Sequence, residues 1–191
     1  DFCKSGYVNE CAAPGGGWTL GCSADGGQAE YVRVPFAENC LNKIPDHVPD
    51  DAALLVGDVL STGYWAAQIA DLHPAETIAI IGAGPTGLST AMCTKLYSPA
   101  CTVMIDISQE RLEFARKHGL ADVIINSKEE DVEKKIRELT DGRGADRVCE
   151  VAGGKNTFEM AWKIARCSGV VCIVAMYEEP PMLPRIGLSG K

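Results

Sequence analysis

Residues 77–87 read TIAIIGAGPTG, an apolar run closed by Gly82, Gly84 and Gly87 in G-x-G-x-x-G spacing. The run 77–81 reads as a buried strand, and the residues from about Pro85 to Tyr97 read as a helix, so the glycines fall where a strand turns into a helix. Each glycine has its own reason to stand in such a turn. Gly82 permits the tight turn, Gly84 lets the backbone approach a pyrophosphate, and Gly87 lets the helix pack close to the strand. Pro85 and Thr86 open a helix whose unpaired N–H groups and positive dipole end suit an anion. With strand before and helix after, the pattern reads as a dinucleotide site rather than a bare glycine-rich turn.

Working outward, strand and helix alternate. A second strand covers 102–106, and Ser108 caps a helix that runs to His118 and ends at Gly119. A third strand is expected over 122–126, a charged helix over 128–140, a fourth strand over 147–151, a helix over 157–166 and a fifth strand over 169–175. Upstream, Pro49-Asp50-Asp51 starts a helix that breaks at Gly57 and resumes over 62–71. The strands are apolar on both faces, which predicts an α/β fold, a doubly wound parallel sheet of Rossmann type. Asp106 ends the second strand, 24 positions after Gly82 (82 to 106). An acid there accepts hydrogen bonds from the adenosine ribose and repels a 2′-phosphate, which favours NAD over NADP. A methyltransferase also carries a glycine-rich turn and a strand-end acid, but the third glycine favours a dinucleotide.

The first fifty residues are different, rich in Gly, Pro and Cys, with 28–35 (QAEYVRVP) alternating like a strand. Nine cysteines, an odd number, and no secretion signal at residue 1 argue against a disulfide scaffold. Cys101, Cys149 and Cys172 lie in or beside apolar runs and read as core fillers. A net charge of −8 argues against nucleic acid as a partner, and no apolar run approaches the ~20 residues of a membrane span. A cytoplasmic protein is expected. Asp1 in place of Met and the abrupt end at Ser189-Gly190-Lys191 read as the middle of a longer chain.

Together these residues resemble the medium-chain, zinc-dependent alcohol dehydrogenase family. The likeness rests on DGGQAEY (25–31), on DVLSTGY (58–64), on the turn 82–87 with Asp106 and Arg111, and on GRGAD (142–146) followed by VCEVAG (148–153). The resemblance implies that residues 1–61 are the C-terminal remnant of a GroES-like catalytic domain and that 62–191 form the dinucleotide-binding domain. It implies NAD and zinc as cofactors, an alcohol or aldehyde as substrate, and a homodimer or homotetramer formed through the sheet edge near 169–175 and the following YEEPPMLP.

Site roles follow from the same resemblance. Asp58 stands where the family places the third protein ligand of its catalytic zinc, as in the secondary-alcohol branches. Asp58 also lies in an apolar stretch, LLVGDVL, where an unpaired carboxylate is costly, so it calls for a metal, a cation or water. A helix-capping role toward residues 61–63 is the alternative. Thr62 matches the threonine that packs against the nicotinamide ring. Val151 and Ala152 would line the nicotinamide side, and Arg111 would face the adenosine ribose or solvent. Cys3 and Cys11 have the spacing of two cysteines of the family's structural zinc lobe, which is half of a four-ligand site. His47, His73 and His118 are expected to be structural or at the surface. The isolated chain is expected to bind NAD with negligible turnover. A zinc-free reductase of the same superfamily and a non-catalytic nucleotide-binding module are the competing readings.

Overall fold

The computed structural model describes residues 2–13, 16–17 and 19–179, apart from the side chains of Cys3 and Val8. The chain forms two compact units, Asp1–Pro49 and Asp50–Lys191. The division falls ahead of the 61/62 boundary that the resemblance implied.

In the first unit the described regular structure is short. It comprises 3-10 turns at Cys3–Ser5 and Val8–Glu10, one turn of helix, α1 (Ala37–Cys40), and an isolated bridge between Leu20 and Ala24. Residues 28–35, expected as a strand, run as bends and coil, and Tyr31 is 91% exposed. Alternating side chains do not hold a strand without a paired neighbour, and the described residues of this unit supply none.

The second unit opens with α2 (Asp50–Leu55), whose first turn carries Asp50 and Asp51 at the positive end of the helix dipole. The break expected at Gly57 is instead a π turn, Val56–Leu60, that leads without interruption into α3 (Ser61–Ile69). The turn absorbs one extra residue while the helix continues.

The alternation expected downstream is present. β1 (Thr77–Ile81), α4 (Pro85–Thr94), β2 (Cys101–Asp106), α5 (Gln109–Lys117), β3 (Val123–Asn126), α6 (Val132–Leu139), β4 (Ala145–Glu150), α7 (Thr157–Ile164) and β5 (Ala165–Ile173) follow in order. The five strands pair in parallel in the order β3-β2-β1-β4-β5. Several boundaries moved by a few residues, two of them for identifiable local reasons. Asp131, not a residue near 128, caps α6 by accepting the Lys134 N–H at 3.0 Å. β5 starts at Ala165, where the register against β4 shifts between Ala145 and Arg147.

Period-two alternation in β1 feeds two cores, one on each face of the sheet. Ile78 and Ile80 join Ala91, Met104 and Leu112, under α4 and α5. Ala79 and Ile81 join Val103, Ile105, Ile136 and Ile164, under α6 and α7. Cys149 and Cys172 are buried as expected, in register on β4 and β5, and both thiols point to the Ala66 carbonyl of α3. Cys101 is half-buried. A Cβ on Gly63 would stand 2.5 Å from the Ser89 carbonyl carbon, so α3 and α4 meet backbone to backbone.

Candidate dinucleotide-binding site

The glycine-rich turn joins the C-terminal end of β1 to α4. Gly82 has φ +112°, a conformation that side chains rarely adopt. Its N–H donates to the Ile105 carbonyl at 2.7 Å, which ties the turn to β2. A Cβ on Gly87 would stand 2.8 Å from the Gly82 carbonyl carbon and closer still to its oxygen, so the helix lies as near the strand as glycine permits. Nothing stands within 4 Å of where a Gly84 Cβ would be, which leaves open space at the backbone there. Gly84 is also the N-cap of α4, without a side-chain cap, and Pro85 occupies the first turn. The helix therefore starts with its dipole end and leading N–H groups uncovered by any capping side chain, as a bound phosphate requires.

Asp106, half-buried at the end of β2, holds this turn in shape. Its Oδ2 accepts the Ala83 N–H at 2.6 Å and its Oδ1 accepts the Ser108 N–H at 2.8 Å. Each carboxylate oxygen keeps a second acceptor site, so the side chain can still receive ribose hydroxyls. On the other side of β1, Val151 and Ala152 follow β4 directly. The Ala152 Cβ lies 3.1 Å, and the Val151 Cγ2 3.3 Å, from where a Gly82 Cβ would be. Gly82, Gly84, Gly87, Asp106, Val151 and Ala152 thus converge at the C-terminal ends of β1, β2 and β4. Arg111 is exposed on α5, and its own N–H donates to the capping Ser108 Oγ at 3.5 Å.

Asp58 and Thr62 come together one turn apart. The Thr62 hydroxyl donates to Asp58 Oδ1 at 3.1 Å, and the π turn that carries Asp58 packs on α4. The Asp58 side chain takes this hydroxyl rather than capping residues 61–63. The burial expected of Asp58 is absent. The residue is exposed, as are Leu54, Leu55 and Val56 beside it, so apolar sequence neighbours do not here impose a desolvation cost. Among the described residues, no three His, Cys, Asp or Glu side chains gather to hold a metal. Asp58 therefore offers one ligand, and the described residues do not complete a zinc site of three protein ligands. Cys11 is half-buried in the first unit and shares a cavity of about 740 Å³ with Cys22 and Cys40. The side chain of Cys3 lies outside the described residues.

Of the histidines, His47 is exposed in its loop and His118 caps the end of α5, its ring tilted against Phe114 with centroids 4.3 Å apart. His73 Nδ1 lies 2.9 Å from an Arg147 guanidinium nitrogen, part of an ion-pair network with Glu76.

One residue of the site edge escaped the sequence reading. Glu150, the last residue of β4, is fully buried, and its carboxylate receives N–H groups of the turn that carries Ala152 and the hydroxyl of Tyr177. Burial, reinforced by the Glu150 carboxylate, pushes the Tyr177 hydroxyl up to about 12. The signal available in the sequence was an acid directly after the apolar pair Val148-Cys149 at the end of a strand.

Comparison with known proteins shows which family the chain belongs to. The sequence model of the zinc-binding dehydrogenase family matches residues 85–188. An alcohol dehydrogenase of Cupriavidus necator is 36% identical over 168 residues, 88% of this chain and 46% of its own. An NADP-dependent isopropanol dehydrogenase of Thermoanaerobacter brockii is 28% identical over 95% of this chain and 51% of its own. The solved apo structure of zinc-dependent alcohol dehydrogenase 2 from Streptococcus pneumonia superposes with a TM-score of 0.84 at 38% identity, over 94% of this chain and 50% of that one. The chain spans about half the length of these relatives. It belongs to the zinc-binding dehydrogenase family, the medium-chain zinc-type alcohol dehydrogenases.

Proposed function

We propose that this chain carries the NAD-binding half of an enzyme that oxidises an alcohol, or reduces the matching carbonyl, by hydride transfer. The observation that carries this reading is the Asp106 carboxylate closing on the Ala83 N–H beside an uncapped helix start. The turn and α4 would hold the pyrophosphate, with Gly84 giving the backbone room to approach it. Asp106 would receive the adenosine ribose hydroxyls and repel a 2′-phosphate. Arg111 would lie beside that ribose or in solvent. Val151 and Ala152 would line the nicotinamide half, and Thr62 would pack against the ring. Zinc, when bound, would supply Lewis-acid polarisation of the substrate oxygen, with Asp58 as one of its ligands and the others from outside the described residues. In the whole protein, residues 1–61 would close a GroES-like catalytic domain and 62–191 would be the cofactor domain. Cys3 and Cys11 would be half of its structural zinc site. We also propose a cytoplasmic homodimer or homotetramer. The free thiols fit a reducing compartment, and β5 lies at a sheet edge. Of the residues 177–184 expected beside that edge, 180–184 lie outside the described residues.

A second reading, a nucleotide-binding module without catalysis, is favoured for the chain by itself. Its described residues gather no metal cluster. Calorimetric titration with NADH and NADPH, with and without zinc, tests the first reading. NADH is expected to bind tightly and NADPH weakly. Asp106→Asn is expected to raise NADPH affinity relative to NADH by about tenfold, because it removes one like-charge repulsion. Failure of both cofactors to bind overturns the dinucleotide reading. Measurable alcohol oxidation by the chain alone overturns the second reading.

A further inference from the structure

Glu150 sits where a charged side chain has no access to solvent, and every hydrogen bond shown for it is internal. Its Oε1 accepts the N–H groups of Ala152 and Gly153, both at 2.9 Å, and its Oε2 accepts the Tyr177 hydroxyl. Its backbone carbonyl accepts the N–H groups of Val174, at 2.9 Å, and Ala175, at 3.2 Å. One residue therefore joins the end of β4, the turn after it and the chain that leaves β5. Gly153 completes the contact. Its φ is +67°, and a Cβ there would stand 2.6 Å from the Met176 carbonyl oxygen, so the two segments touch along their backbones. Phe158 of α7 meets the Tyr177 ring edge to face at 6.3 Å, which fixes the ring from the other side.

The position of this joint in the sheet gives it a consequence for ligand binding. β2, with Asp106, lies on one side of β1, and β4 and β5 lie on the other. A dinucleotide whose pyrophosphate rests on the turn between β1 and α4, with its adenosine ribose at Asp106, must lay its other nucleoside over β4 and β5. Val151 and Ala152, which abut Gly82, form the start of that wall.

We propose that Glu150 and Tyr177 are positioning residues that lock the turn after β4 to the chain leaving β5, and so shape the wall against which the nicotinamide nucleoside packs. The proposal rests on the dinucleotide reading above. A buried carboxylate that accepts three hydrogen bonds holds its partners more firmly than neutral pairs do. Neither side chain needs to touch the ligand.

The test compares NADH with ADP-ribose, which keeps the adenosine and pyrophosphate and lacks nicotinamide. Both are titrated into the full 191-residue chain and into its Tyr177→Phe, Glu150→Gln and Glu150→Ala variants. Tyr177→Phe removes one hydroxyl and is expected to weaken NADH by about tenfold, the worth of one hydrogen bond to a charged group, while leaving ADP-ribose within about twofold. Glu150→Ala is expected to lose more NADH affinity than Tyr177→Phe. Glu150→Gln, which retains an acceptor for Ala152 and Gly153, is expected to recover most of it. Equal weakening of both ligands, or of neither, overturns the proposal, since general loosening would not discriminate between them. If the unaltered chain binds neither ligand, the dinucleotide reading itself falls. Amide exchange at Ala152 and Gly153 still reads the clamp in that case. Acceleration in Tyr177→Phe upholds it, and unchanged exchange refutes it.

Discussion

Gly87 has no room for even one added carbon. Its Cβ would press into the Gly82 carbonyl group on one side and stand 3.3 Å from Val151 Cγ2 on the other. Neither neighbour is the far end of a flexible chain, so Gly87→Ala must push α4 away from the turn. The expected cost is about 1–3 kcal/mol of stability, the range for overpacking a tight site, together with loss of most NADH affinity. Thermal unfolding and NADH titration of the variant measure both, and an unchanged melting temperature would mean that the turn yields easily. This glycine was legible in the sequence because its constraint is local: turn, strand end and helix start lie within a few positions of one another. Asp106 was legible for a similar reason, as the residue that ends a recognisable strand. Glu150 was not, because the Tyr177 hydroxyl that donates to it is 27 positions away, in the chain that follows β5. The exposure of Asp58 was not legible either. Its sequence neighbours are apolar, but burial depends on what packs over them, and Leu54 is 80% exposed.

At the level of elements, the N-terminal ends of β1, β4 and β5 are held by charge. Asp146 of β4 accepts the Thr77 N–H that opens β1 at 2.8 Å and the Arg166 Nε of β5 at 2.6 Å. Glu76 lies 3.0 Å from the Nε of buried Arg147. This pairing explains why β5 begins earlier than its apolar pattern suggests. Arg166 is drawn into the sheet by Asp146, a contact that hydrophobic periodicity cannot register, whereas β1, whose pattern is purely apolar, was read to the residue. Burial pushes the Asp146 carboxyl up, but the Thr77 N–H and the Arg166 guanidinium, with Arg143 nearby, outweigh it and hold the group below its ordinary 3.8. A carboxyl so lowered binds fewer protons folded than unfolded. Its contribution is complete well above 3.8 and is lost as pH falls through the lower folded value. Asp146→Asn lacks that contribution at every pH. It is expected to be about 1–3 kcal/mol less stable at neutral pH, since it weakens a hydrogen-bonded charge pair. The gap from the unaltered chain should narrow as pH drops below that range. Urea unfolding of both proteins across a pH series measures the gap, and a constant gap would locate the loss in packing rather than in the carboxylate.

Across the whole molecule, the two units differ in what can hold them folded. Ile78, Ile80, Val103, Met104, Ile105 and Val148 are all fully buried in the second unit, whereas no residue whose burial is described among 2–49 is buried. Ordering one residue costs about 1–2 kcal/mol of backbone entropy, and burial of apolar surface returns roughly 25 cal/mol per Å². A segment whose described residues include no buried apolar side chain has little with which to offset that cost, while the sheet has two cores. Amide hydrogen exchange is therefore expected to divide the chain. Amides of β1, β2 and β4 should exchange only through global unfolding, and those of the described residues among 2–49 at rates close to an unstructured chain. Saturation with NADH to a hundredfold over its dissociation constant should deepen the protection of the strands by about 2.7 kcal/mol. The same ligand should leave residues 2–49 unchanged, because their opening does not pass through the unfolding of the sheet. Equal protection in both regions, rising together with NADH, would mean that the chain folds as one cooperative body and that residues 2–49 draw their stability from the sheet.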